Sequence, residues 1–548
     1  MPVFNCASAF SGSANAVRRR GSLVLLAFAV ATAATTFDFS LKAASAEDVA
    51  ILRKAAPSDH DGSGSGDIGR FVHEIARKRS LTEYQAPPVA NKDNGLDYDD
   101  YKKVNFDPTR AVWKDEAHGY ELHPLPMGWL FKRGIDISVV EGAERLPLQF
   151  SALDFPGLAE ARTAERGAVA NDQPVAISGF RLNGPLNSPD KADEIIVFQG
   201  ASYFRALAKG QTYGLSARGL AIATASPAGE EFPEFTSFWV EKPSEPGEPI
   251  VIHALLDSPS VAGAYRFAVR SGNETVVRVD ATLFPRKPLD NVGLAPLTSM
   301  NLVSPLTPGR IIDFRPRVHD SQGLAIHNAN GEHVWRPLSN PRTLQISSFQ
   351  GSSPKGFGLI QREREFASYE DLEARYERRP SVWIEPEGKL FENGEVVLVE
   401  IPSEKEWHDN IVAFWRPRTR IEPGQTTTFS YTMRWRADVP EVEQAGLFVS
   451  QSRLGSAHAE DEDSLRFVID YAAGRTFSEG AELPEASVES SAGKVGKVTL
   501  QRNPETGGAR ASFVFEPGGS DASELRLILT EDGRPAGETW LYRWTRGE

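Results

Sequence analysis

Thr427-Thr428-Phe429-Ser430-Tyr431-Thr432-Met433-Arg434-Trp435 alternates polar and large apolar side chains without a break. Successive side chains of a β-strand point to opposite faces. A period of two therefore puts Phe429, Tyr431, Met433 and Trp435 on one buried face and leaves the other face to polar groups. Outward from this stretch, short strand-like runs recur from about Tyr120, broken by Gly, Pro, Asn and Asp at intervals of roughly 8–12 residues. Ile195 to Phe198, Ile250 to Leu256, Tyr265 to Arg270, Thr275 to Leu283 and Val396 to Ile401 precede it. Leu465 to Tyr471, Val495 to Gln501, Ala511 to Phe515, Leu525 to Leu529 and Thr539 to Trp544 follow. Helical periodicity is confined to Glu47 to Ala56 and Ile68 to Arg79, and 37 prolines and 46 glycines leave little room for long helices elsewhere. The pattern predicts an all-β chain in two parts. A large β-sandwich occupies residues 47–417. A smaller sandwich occupies residues 423–548, where roughly seven strands in about 125 residues suit an immunoglobulin-like architecture. The boundary is read at Arg416-Pro417-Arg418-Thr419-Arg420-Ile421-Glu422-Pro423-Gly424, just after the apolar run that ends at Trp415. Thr427 is thus expected to open the second sandwich.

The first 46 residues have the make-up of a signal peptide: a basic stretch at Arg18, Arg19 and Arg20, an apolar run from Leu23 to Ala34, and small residues at Ala44-Ser45-Ala46. The arginines suit a twin-arginine route, whereas Gly21-Ser22 after them suits the general secretory route. Both remain open. The single cysteine, Cys6, lies inside this segment, so the mature chain is expected to fold on its apolar core without disulfides. No later run is apolar and long enough to span a membrane. Between the two helical stretches, Ser58 to Gly66 reads as a polar linker. The formal charge is −14. Cleavage would remove Arg18, Arg19, Arg20 and Lys42 against only Asp38, making the mature chain more acidic still. Such a surface repels nucleic acid and anionic lipid, and a neutral ligand suits it better.

Chemically useful side chains concentrate between Arg315 and Trp415. Two acids stand out: Asp320 after His319, in a Gly-containing loop, and Asp409 after His408, at the mouth of the apolar run Ile411 to Trp415. A carboxylate at the end of a buried strand is rigid and partly desolvated, which suits a general acid. Glycoside hydrolysis needs one such acid and a second carboxylate. The competing reading is that both acids cap turns. Glu332, Glu363, Glu365, Glu370, Asp371, Glu385 and Glu400 lie in the same segment, and composition does not choose among them. His319, His327, His333 and His408 lack any zinc-site spacing. No nucleophile elbow or nucleotide loop occurs, and no metal or cofactor is expected. Trp335 and Trp383, each beside an Arg-Pro turn, are candidate stacking platforms for sugar rings or else core. Phe414 and Trp415 read as core. Tyr376 and Arg379, three apart, are candidates for the same cleft, with a local Arg–Glu pair as the alternative.

These residues sit among long motifs, including Gly200-Ala201-Ser202-Tyr203-Phe204-Arg205, Tyr213-Gly214-Leu215-Ser216-Ala217-Arg218-Gly219, Glu230-Glu231-Phe232-Pro233 and Ala295-Pro296-Leu297-Thr298-Ser299-Met300. In this order they resemble the periplasmic glucan biosynthesis protein G/D family (OpgG and OpgD, also MdoG and MdoD), from about Asp97 to Tyr542. The resemblance implies a galactose-mutarotase-like sandwich followed by an immunoglobulin-like one. It implies a periplasmic location and a part in making glucans with β-1,2-linked backbones. Some members are anomer-inverting endo-β-1,2-glucanases, and by resemblance Asp409 would be the acid and Asp320 the base, with Tyr376 and Arg379 lining the cleft. The alternative is a non-catalytic glucan-binding or assembly factor working with the inner-membrane glucosyltransferase. Two departures from the family pattern mark this chain. The bulky Trp407 in Glu406-Trp407-His408 is expected to reshape the substrate cleft. His333 stands where relatives often carry Trp.

Overall fold

The computed structural model describes residues 68–547 apart from 88–97, 159–172, 352, 440–445, 459–460, 475–476, 478–479 and 481. The expected signal segment, the helical stretch Glu47 to Ala56 and the Ser58 to Gly66 linker lie outside these residues. Phe429, Tyr431, Met433 and Trp435 are all buried on one face of the strand Thr427–Arg436. On its other face Ser430 donates to Asp280, and Arg434 pairs with Glu385 and Glu274. The period of two is thus realised as read, and each buried ring contributes on the order of 1.5–3 kcal/mol by leaving water.

Two large antiparallel-rich sheets enclose the main core. One has ten strands and runs from Glu121–Pro126 through Ile177–Ser188, Lys191–Gln199, Tyr203–Ala206, Ser216–Arg218, Val292–Ser299, Ile411–Pro417 and Gly394–Glu400 to Gln345–Gly351. The other has fifteen strands. Its centre is the series Gly323–His327, Gly356–Ile360, Ser381–Glu387, Thr427–Arg436, Thr275–Pro285, Val261–Arg270 and Ile250–Asp257. The facing apolar sides form one continuous core that includes Phe180, Phe198, Phe238, Phe267, Leu297 and Trp415. The first helix among the described residues, α1 (Ile68–Ser80), matches the helical spacing read at Ile68 to Arg79. It lays Val72 and Ala76 on the outer side of the fifteen-stranded sheet. The all-β expectation therefore stands.

The boundary between the two parts is corrected. Thr427–Arg436 does not open the second sandwich. It lies inside the large sheet, pairing Trp435 with Thr275 on one side and with Val382 on the other. Alternation reveals a strand with one buried face, but it carries no information about which backbone partners satisfy its hydrogen bonds. The second apolar core instead draws mainly on residues beyond Arg436, joined by Leu306, Ala325, Trp335, Ile360 and Trp383 from the large sheet and its loops. It gathers Val439, Leu447, Val449, Phe467, Ile469, Phe513, Leu527, Trp540 and Tyr542 between a five-stranded sheet and the strands Glu485–Ser490, Ala522–Glu531 and Thr539–Thr545. Nor are the two parts joined merely by a linker. His333–Pro337 pairs in parallel with Thr539–Thr545, Val334 opposite Thr539 and Trp335 opposite Trp540, so the C-terminal strands extend the large sheet. The expected strand Val495 to Gln501 is split into Lys494–Val495 and Thr499–Asn503, interrupted at Gly496.

Trp335 and Trp383 lie at this junction and are only 1 % exposed. Both stand on strands rather than in turns. Each ring lies flat on a glycine, Trp335 on Gly323 and Trp383 on Gly356, where any Cβ would overlap it. The guanidinium of Arg362 sits 3.7 Å from the Trp335 ring, and His327 meets Trp383 edge-on at 4.9 Å. The expectation that they are sugar-stacking platforms is therefore corrected: the proline that suggested an exposed turn ends the Trp335 strand, and both rings fill the seam between cores.

Candidate functional site

The site is built around Met300, where the chain passes from one sheet to another. Val292–Ser299 ends its pairing with Ile411–Pro417 at Ser299 opposite Ile411. Two residues later, Asn301 begins a short ladder with Val318–His319, opposite His319. Asp409 precedes Ile411 by two residues and Asp320 follows His319 by one. The two ladders therefore bring these acids, 89 positions apart in sequence, to the two sides of Met300. Side chains lock the arrangement. Asn410 is buried; its Oδ1 accepts from the Asn301 N–H at 2.8 Å, and its Nδ2 donates to the carbonyls of Asn301 at 3.0 Å and Ile401 at 3.1 Å. The Asp320 N–H donates to the Met300 carbonyl at 2.8 Å.

Asp320 is buried and ion-paired with Arg379. The Arg379 guanidinium carbon stands 4.0 Å over the ring of Tyr376, and the arginine stem packs on Gly214, where a Cβ would come within 2.9 Å. Burial alone would depress Arg379, but the Asp320 charge outweighs it and holds the guanidinium above its usual range. Tyr376 is fully buried and its hydroxyl donates to Glu406. Burial first, and then the acids Glu406 and Asp320, push that phenol well above its usual range, so it stays a donor. Gln361 ties the two halves together. Its Nε2 donates to the carbonyls of His319 at 3.0 Å and Tyr376 at 3.3 Å, while its Oε1 lies 2.9 Å from His319 Nδ1. Nδ1 is accordingly the protonated nitrogen. Burial, reinforced by Arg317, lowers His319 to about 3, so the ring is neutral.

Glu406 belongs to a hub that the sequence did not reveal. Arg315 pairs with Asp313 at 2.8 Å, Asp371 at 2.7 Å and Glu406 at 2.8 Å, drawing together three loops. Hydrogen bonding to Asp313 is the largest of several effects that raise Arg315 far above its usual range. On the Asp409 side stands Arg218, also buried, paired with Glu230 at 2.6 Å and donating to Thr298 Oγ1 at 2.9 Å. Burial opposes its charge, but Tyr203, Glu230 and Asp409 around it hold it above its usual range.

Other acids of the segment have structural partners. Glu400 is wholly buried against Arg336 and Ser339. Glu363 accepts from Gln451 at 2.6 Å, Glu385 from Arg434 at 2.8 Å, and Glu332 from Arg526 at 2.7 Å. The structure thus brings together Asp320, Tyr376 and Arg379, and sets Asp409 across Met300 from them. Trp407 lies on the loop between Glu406 and Asp409, 55 % exposed. Trp335 and Trp383 are elsewhere. His333 stacks on His327 at 3.8 Å inside a hairpin. Glu406 stands three residues before Asp409, and Arg315 opened the acidic segment. Their pairing spans 91 positions, however, and no local spacing could have announced it.

Two carboxylates, Asp320 buried and held by Arg379 and Asp409 partly buried at the mouth of a strand, suit acid–base cleavage of a glycosidic bond. Residues 70–544 match the family model described as "Periplasmic glucan biosynthesis protein, MdoG". The chain is 46% identical to "Glucans biosynthesis protein G" of Vibrio cholerae serotype O1 over 92% of this chain and 90% of that one. It is 48% identical to "Glucans biosynthesis protein G 1" of Shewanella oneidensis, over 87% of each chain. It is also 48% identical to "Glucans biosynthesis protein G" of Shewanella putrefaciens, over 87% of this chain and 86% of that one.

Proposed function

The chain belongs to the periplasmic glucan biosynthesis protein family MdoG, and on that premise we propose that it is an inverting endo-β-1,2-glucanase that trims the glucan backbone during its synthesis. A family named for periplasmic glucan biosynthesis implies the periplasm as the compartment. No helix among the described residues is long and apolar enough to cross a membrane. The observation that carries the reading is the convergence of Asp320 and Asp409 on Met300 from two different ladders.

Asp409 donates its proton to the glycosidic oxygen as the bond from C1 breaks. A water adds to C1 from the opposite face and gives up its proton to Asp320, directly or through a sugar hydroxyl or second water. Each turnover consumes one water and leaves one new reducing end in the α form. Asp409 ends ionised and Asp320 protonated, and exchange with solvent resets both. Arg379, seated on the Tyr376 ring, holds the base in orientation, and the Tyr376 hydroxyl is committed to Glu406.

The test is incubation with pure linear β-1,2-glucan. New reducing ends should appear, in the α form by NMR at early times. Asp409→Asn and Asp320→Asn should each lower the rate by about 10²–10⁴. Cleavage by Asp409→Asn at the wild-type rate would sink the assignment. If wild type binds the glucan but produces no reducing ends, the protein is a binding or assembly factor rather than a hydrolase.

A further inference from the structure

Of the five most exposed large apolar side chains among the described residues, four belong to the loops that Arg315 draws together: Ile312 at 101 %, Phe314 at 76 %, Leu372 at 79 % and Trp407 at 55 %. Their positions follow from the hub. Ile312 and Phe314 flank Asp313, Leu372 follows Asp371, and Trp407 follows Glu406, and these three acids are the ones that grip Arg315. The Phe314 ring lies 5.6 Å from the Arg315 guanidinium carbon. One cation thus fixes a rim of apolar side chains interleaved with carboxylates. The rim connects to the Asp320–Arg379 pair, because Glu406 also accepts from Tyr376, whose ring lies under Arg379. Soluble proteins seldom leave such side chains together at the surface unless something covers them.

We infer that this rim is an outer binding platform for the glucan chain, holding glucosyl units beyond those at the cleavage point. The chemistry selects the occupant. A sugar ring offers an apolar C–H face and a fringe of hydroxyl donors, matching apolar side chains beside carboxylate acceptors. Three acids against one arginine leave the rim negative, and the whole chain carries −14, so a polyanion or an anionic lipid surface is repelled. The inference rests on the glucan reading above, but it concerns binding and needs no turnover.

The experiment titrates two probes, a long linear β-1,2-glucan and a short β-1,2-linked oligosaccharide, into the Asp409→Asn protein with and without Phe314→Ser plus Leu372→Ser. Long-chain binding should weaken about tenfold, with short-chain binding changed less than twofold. Phe314→Trp in place of the serine should keep the long-chain affinity. Unchanged long-chain affinity in the double serine variant overturns the platform. So does a loss by Phe314→Trp equal to that of the serine variant, which would mark a structural role for the loop. Vesicles of anionic lipid that bind wild type but not the serine variant, with glucan affinity intact, would also overturn it. Absence of cleavage by wild type would overturn only the hydrolase, because the titration reads affinity alone.

Discussion

Glu538→Gln removes one negative charge from the seam where the C-terminal strands join the large sheet. Glu538 is wholly buried. Its carboxylate accepts from Arg362 at 2.6 and 2.8 Å and from the Val449 N–H at 2.8 Å. Arg362 is itself almost buried and lies against Trp335. Glutamine keeps the shape but presents an amide N–H₂ to donors and leaves the Arg362 cation uncompensated out of water. Breaking one partner of such a pair costs about 3–5 kcal/mol, more than its net worth when intact, because the remaining charge is stranded. Replacing both partners by apolar residues of similar size, Arg362→Met with Glu538→Leu, strands nothing and should cost much less. Urea unfolding at neutral pH, followed by tryptophan fluorescence, measures the difference, since Trp335, Trp383 and Trp540 all lie in that core. A loss below about 1 kcal/mol for Glu538→Gln would refute the reasoning. So would a double variant as unstable as the single one, because the cost would then come from packing rather than from a stranded charge.

Stability should fall on mild acidification. Burial holds His319 and His327 down to about 3, so between about 6.5 and 3 the unfolded chain binds protons that the folded one excludes, and each histidine removes at most about 1.4 kcal/mol per pH unit. Asp313 and Asp371 are lowered too, but their contribution is lost only near and below the ordinary carboxylate range, so unfolding measured at pH 7 and 5.5 isolates the histidines; equal stability at the two would contradict their neutral burial. Tyr376→Phe removes the hydroxyl that binds Glu406 and should reduce kcat/KM on β-1,2-glucan about tenfold with little change in melting temperature. An unchanged kcat/KM would take Tyr376 out of the reacting centre. Gly358→Ala should destabilise by roughly 1–3 kcal/mol, because the added Cβ overlaps the Val382 carbonyl oxygen and sits 3.0 Å from Trp383 Cα, where backbone cannot yield; a thermal scan checks it.

Much of this protein is local, and what is local was legible. The period of two in Thr427–Arg436, the helical spacing of Ile68–Ser80 and the Gly- and Pro-broken rhythm of short runs each depend on side chains within a few positions of one another. They determined the all-β class, and the apolar run after Asp409 marked that acid as one at the mouth of a buried strand. Pairing is not local. Only the folded sheet placed Thr427–Arg436 against Thr275–Pro285 and Ser381–Glu387, and joined His333–Pro337 to Thr539–Thr545. The same applies to the tryptophans. Trp335 beside Arg-Pro looks like a surface platform until Gly323 and Arg362, from elsewhere in the chain, pack against its ring. At the site, residue types and motif order nominated Asp320, Asp409, Tyr376 and Arg379. The Arg315 hub and the turn at Met300 were decided by the tertiary structure alone, since an ion pair or a hydrogen bond between residues 56, 91 or 109 positions apart leaves no periodicity in the chain that forms it.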